Sequence, residues 1–157
     1  MSLESILDAV AVRLAASLGT ASSSGTPGLR AAYSAASTSE GAGIIPRSID
    51  DWPVAILWAG GGEMTAGNGP EPILHGIEVR IWCGATDAAY AYQTLVPFVG
   101  RCRTLFRTDV DANATAARVL MTAYDAPEID EAHGKPFLVL AIHLEALEFE
   151  ATDAYAM

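Results

Sequence analysis

Basic residues are scarce. Nine lysines and arginines stand against 19 aspartates and glutamates, for a net charge of −10. A protein that grips nucleic acid needs cations to displace phosphate counterions, so this balance argues against one. Cysteine is limited to Cys83 and Cys102, each at an apolar position. Free buried thiols in a reducing compartment fit two such residues better than a disulfide framework does. No apolar run approaches the ~20 residues that cross a bilayer as a helix. The opening Met1-Ser2-Leu3-Glu4 lacks the basic n-region of a signal peptide. The expectation is therefore a chain made in the cytoplasm with no membrane association. No internal repeat of solenoid period is present either.

What is present is a globular composition: 157 residues, 51% hydrophobic and 18% charged, with a mean hydropathy of +0.27. That length suits one domain, residues 1–157, able to bury roughly two-thirds of its unfolded surface. Much of the apolar content is alanine, and surplus apolar surface on a small domain is commonly covered by another copy. Acidity is uneven. Beyond Tyr124 there are eight carboxylates against Lys135 alone, and a solvated acidic face is the plain reading of that excess.

The chain is organised around residues 73–106. Residues 73–83 alternate as a half-buried strand, with His75, Ile77, Val79, Ile81 and Cys83 on one side and Glu78, Arg80 and Trp82 on the other. Gly84-Ala85-Thr86-Asp87 then supplies a turn and an N-cap oxygen for a following helix. After it Ala88, Ala91, Tyr92, Leu95, Phe98, Val99, Cys102, Leu105 and Phe106 recur at helical spacing as one apolar stripe. Pro97 lies inside that pattern and removes a backbone donor, which predicts a kink near residues 94–97 or two helical pieces end to end.

Around this unit, Leu3, Ile6, Leu7, Val10, Leu14 and Leu18 predict an N-terminal helix capped by Ser2 and stopped at Gly19. Residues 20–28 read as a loop, residues 29–33 as a short strand, and residues 34–43 as small, polar surface chain. Residues 53–59 form a nearly continuous apolar run, fit for a strand covered on both faces. Residues 60–72 are a long glycine-rich connection, the tip of an extended hairpin if its flanking strands pair antiparallel. Removing residues 61–69 is expected to leave the fold intact. Residues 114–124 predict a strand with Ala117, Val119, Met121 and Ala123 on one side. Residues 125–134 predict an acidic connector turning at His133-Gly134. Residues 135–150 predict the longest strand, with Leu138, Leu140, Ile142 and Leu144 facing one way and His143 and Glu145 the other. A change of parity to Leu147 and Phe149 suggests a bulge or an exit from the sheet. Strands in sequence-adjacent pairs favour an α+β domain, mostly antiparallel, with an N-terminal helix and a second long helix packed on one face and an extended hairpin loop.

Chemistry finds little support. A metal needs converging His, Cys or carboxylate ligands. His75 and Cys83 lie about 26 Å apart along one strand, too far to share an ion. His143 and Glu145 supply two ligands at most, and a surface ion pair is the commoner meaning of such a pair. Asp50-Asp51 and Glu128, Asp130 and Glu131 lack the spacing of a calcium loop. Gly60-Gly61-Gly62 lacks the lysine, the spacing and the helix of a phosphate loop. There is no Gly-x-Ser-x-Gly elbow and no cysteine–histidine motif. No catalytic residue, cofactor or metal is expected, and the chain is read as a non-enzyme. Arg101, Arg103 and Arg107 form the one basic cluster, either a solvated helix face or a binding patch.

In its layout the chain resembles the tail terminator and neck (head–tail joining) proteins of long-tailed bacteriophages. The resemblance runs through the helix opening at Met1-Ser2-Leu3-Glu4, the extended region leading to Trp52-Pro53, the hairpin through residues 60–72, the strand at residues 75–82, the helix ending at residues 101–107 and a closing strand pair. It implies a structural virion protein, commonly a hexameric ring, assembled in the host cytoplasm. Such a ring caps the tail tube, ends its polymerisation and meets the head connector or neck protein, while DNA passes through the lumen without specific binding. Interface positions expected on this resemblance are Trp58, then Glu63, Met64 and Asn68 of the hairpin, and Arg101, Arg103 and Arg107. Another neck or tail-completion protein differs in stoichiometry and neighbours, which co-assembly with tail tube protein would distinguish. A small ligand-binding domain or enzyme would be a monomer with an enclosed polar pocket.

Overall fold

The computed structural model describes residues 3–20, 27–34, 53–64, 72–85, 87–108, 117–132 and 134–149. Among these residues six strands form one sheet: β1 (Ala31–Ser34), β2 (Val54–Met64), β3 (Pro72–Gly84), β4 (Ala117–Tyr124), β5 (Glu128–Ala132) and β6 (Lys135–Phe149). Their order is β1-β2-β3-β6-β4, with β5 also paired to β6. β1 runs parallel to β2 and the other pairs are antiparallel. β3 and β6 are the central ladder, in continuous register from Pro72 opposite Phe149 to Gly84 opposite Phe137.

Three helices, α1 (Leu3–Leu18), α2 (Ala88–Leu95) and α3 (Pro97–Thr108), cover one face of this sheet. α1 buries Ile6, Leu7, Val10, Leu14 and Leu18 and packs on β1 and β2, while α2 sits on β3 and β6 and α3 on β4. The sheet meets them with His75, Ile77, Val79, Ile81 and Cys83 of β3 and Leu138, Leu140, Ile142 and Leu144 of β6, all buried. The alternation and the α+β expectation hold. Asp87 caps α2, its Oδ1 accepting from Tyr90 N at 3.1 Å. Pro97 splits the long helix into two pieces end to end, as its missing N–H requires.

The strand at residues 53–59 is covered on both sides in its first half. Ala55 and Leu57 are buried on the helix face and Val54 and Ile56 on the other. Beside Val54, the Trp82 ring meets Phe137 edge to face at 6.0 Å between centroids, an outer-face extension of the core.

Several expectations shift. The short strand at residues 29–33 becomes Ala31–Ser34, and Ser34 is buried rather than part of a surface chain. The glycine-rich connection is shorter than expected, because β2 continues through residues 60–64 and pairs antiparallel with β3. A register shift between Ala59 and Gly62 absorbs the glycines, and Gly61 takes a φ of 94°, a conformation that side chains with a Cβ rarely adopt. A deletion of residues 61–69 would therefore remove ladder residues and is no longer expected to be harmless. The acidic connector contains a strand, since Glu128–Ala132 pairs with β6, and Gly134 (φ 72°) turns the chain between them. β6 carries no bulge against β3. Ala146 keeps the buried parity, and the bulge lies instead in β4 between Met121 and Ala123. Ala88 and Tyr92 leave the buried helical stripe, and Tyr92 is 53% exposed. The Ser2 cap, residues 35–50 and 65–71, residues 114–116 of the expected strand and the His133 half of the turn lie outside the described residues.

Candidate interaction surface

Residues of a strand alternate between faces, so the register that sends Val79 and Ile142 under the helices sends Glu78, Arg80, His143 and Glu145 the other way. On that second, outer face Val54, Ile56, Trp82 and Phe137 are buried, whereas Leu120 is half exposed. Trp58 stands on it opposite Glu78, 38% exposed.

Its polar groups are largely matched locally. Arg80 Nε donates to Glu78 Oε1 at 3.2 Å and a terminal nitrogen to Oε2 at 3.5 Å, an i, i+2 pair on one strand face. His143 Nε2 lies 2.8 Å from Asp125 Oδ2. The backbone holds that pair in place, because Asp125 N donates to Ala141 O at 2.9 Å at the end of β4. The β4 bulge lets the Thr122 hydroxyl donate to His143 O at 3.3 Å. Ion pairs this exposed contribute about 0–1 kcal/mol, so they shape the surface more than they stabilise the fold.

Two depressions mark the face. One, of about 430 Å³, is lined by Glu78, Arg80, Asp125, Ala126, Glu128, Ile129, Asp130, Val139 and Ala141. Four carboxylates and one guanidinium surround it, and that guanidinium is already engaged by Glu78. The other, of about 400 Å³, lies further along β6 between Leu74, Arg118, Leu120, Glu145 and Leu147 and is mostly apolar. Leu120 on its wall is 51% exposed. Neither depression gathers a nucleophile with a base, and among the described residues no three His, Cys, Asp or Glu side chains converge to hold a metal ion.

The thiols are poor nucleophiles where they sit. Burial pushes the Cys102 pKa up to about 12, against the opposing charge of Arg101, and burial raises that of Cys83 as well. His75 is buried on the helix face, and His143 faces Asp125 across the sheet edge rather than joining Glu145.

The expected interface residues do not come together. Trp58 is on the outer face. Glu63 and Met64 end β2, opposite Leu74 and Ile73, and Asn68 lies outside the described residues. Arg101 is on the helix layer and serves the fold: it donates to Thr20 O at 2.7 Å, tying α3 to the end of α1, and its guanidinium lies 5.3 Å from the Phe98 ring centroid. Arg103 and Arg107 are exposed on α3. The groove at Leu74, Leu120 and Leu147 escaped the sequence reading. Its signal is the parity change at Leu147, which marks neither a bulge nor an exit from the sheet but an apolar residue on the outer face.

No described helix is long and apolar enough to cross a membrane. No protein-family model matches the chain, and no curated protein sequence matches it.

Proposed function

We propose that the chain is a ring-forming structural protein of the tail terminator or neck type, which ends tail-tube polymerisation and joins the tail to the head connector. The observation that carries this reading is the open sheet face. It exposes Trp58, Leu120 and the Leu74–Leu147 groove, apolar surface of the kind another protein surface covers. The layout resemblance supplies the ring and its place in the virion. A lumen built from copies of net charge −10 repels DNA phosphates and lets the genome slide through. Arginines rather than carboxylates on the channel wall would count against that passage.

The test is the mass of the purified chain by light scattering and native mass spectrometry, followed by imaging of the particles. Closed rings, six copies in the commonest arrangement, that bind the ends of purified tail tubes are the expected result. A particle that stays monomeric at every concentration, or that leaves tube length unchanged when added to polymerising tube protein, overturns the proposal.

A further inference from the structure

We infer that the outward stripe of α2 and α3 in one copy lies across the outer sheet face of the next, a contact that rests on the ring reading above. The two helices act as one rod. Val96 keeps helical dihedrals, its N donates to Tyr92 O at 3.0 Å, and Val99 N donates to Val96 O at 3.1 Å. The helical phase therefore carries across the junction. Tyr92, Val96, Arg103 and Arg107 follow at intervals of four, seven and four, which aligns them on one line of the rod. All four are exposed, about a quarter-turn around the rod from the buried line through Leu95, Phe98, Cys102 and Phe106.

That line is apolar at one end and basic at the other, and α3 contains no carboxylate. The outer sheet face has the same arrangement with the opposite charge: an apolar groove at Leu74, Leu120 and Leu147, then a cleft rich in carboxylates. The spacings are of the same order. From the middle of Tyr92–Val96 to the middle of Arg103–Arg107 is eleven residues, about 16 Å at helical rise. From Ala146, beneath the groove, to Leu138, which lies between the β6 partners of Glu128 and Asp130, is eight residues, about 26 Å at strand rise. The remaining difference of about 10 Å is left for the extended arginine and carboxylate side chains to span together. Within the cleft Glu78 is engaged by Arg80 and Asp125 by His143, leaving Glu128 and Asp130 to receive incoming guanidinium groups. Glu128 has no partner among the described residues.

The contact is heterologous. Stripe and sheet face belong to opposite layers of one chain, so joining two copies leaves one of each surface unused, and association continues until a ring closes. Tyrosine and arginine are the side chains that carry such contacts.

Charge reversal tests it. Arg103→Glu with Arg107→Glu, or Glu128→Arg with Asp130→Arg, raises the self-association Kd on the order of 100-fold by sedimentation, with far-UV circular dichroism and melting temperature of the monomer unchanged. Mixing the two double variants, or combining all four substitutions in one chain, restores assembly. Tyr92→Ala weakens assembly about tenfold without reversing any charge. Assembly that survives both reversals, or that fails to return on mixing, overturns this contact while the ring reading stands. A wild-type chain that never associates overturns both.

Discussion

The two faces of the sheet are built from the same strands and teach different lessons. On the helix face every second residue of β3 and β6 is buried against α1, α2 and α3, and the side chains are aliphatic almost throughout. On the outer face the intervening residues pair with one another, Arg80 with Glu78 and His143 with Asp125, and leave apolar groups between the pairs uncovered. The first face supplies most of the buried core. The second adds Val54, Ile56, Trp82 and Phe137 at one end, and its residues further along β4 and β6 are left available for contact with another molecule.

The largest effect that separates the faces is Leu140→Ala. Leu140 is fully buried under the helices, and its truncation costs about 2–5 kcal/mol of unfolding free energy in denaturant titration. A loss below about 1 kcal/mol would mean that the helix face is not the core. Next comes alkaline pH. The Cys102 thiol has its pKa raised from 9.0 to about 12 in the folded chain, so the native state holds a proton that the unfolded state releases. The stability this contributes is complete below pH 9 and is lost as pH rises towards 12. Unfolding titrations of wild type and Cys102→Ala should show the wild-type advantage shrinking across that window, and a constant difference would refute the assignment.

Smaller again is Asp87→Ala, which removes the cap on α2 and costs about 1 kcal/mol, read as a lowered melting temperature. The smallest effect on stability sharpens the comparison most. Leu120→Ala, on the exposed wall of the groove, changes unfolding free energy by less than about 0.5 kcal/mol yet weakens self-association in sedimentation. If instead it unfolds the chain and leaves association untouched, the roles given to the two faces are reversed.

Local pattern was enough for much of this architecture. The period-two alternation from His75 to Cys83 and from Leu138 to Leu144 fixes which side of each strand is buried, because neighbouring side chains must point to opposite faces. A capping residue and Pro97 act on backbone donors within a turn of themselves, so a cap within residues 84–87 and the break in the long helix were readable from the chain, and the structure assigns the cap to Asp87. Pairing was harder to read. Glu128–Ala132 has the composition of a connector and becomes a strand only because β6 offers it an unsatisfied edge. The glycines at residues 60–62 look like a loop and are held in β2 by their ladder with β3.

The amino-acid order by itself determined the class of the fold, the buried stripes and the acidity of the closing hairpin, since these depend on residue type and on spacing within one element. Tertiary structure alone decided which surfaces remain open. It joined Leu74, Leu120 and Leu147 from three strands into one groove, turned Arg101 inward to hold the end of α1, and placed Arg103 and Arg107 on the layer opposite the carboxylate cleft. Those outcomes rest on contacts between residues far apart in the chain, whose proximity is set by strand order and by the packing of helices on one face.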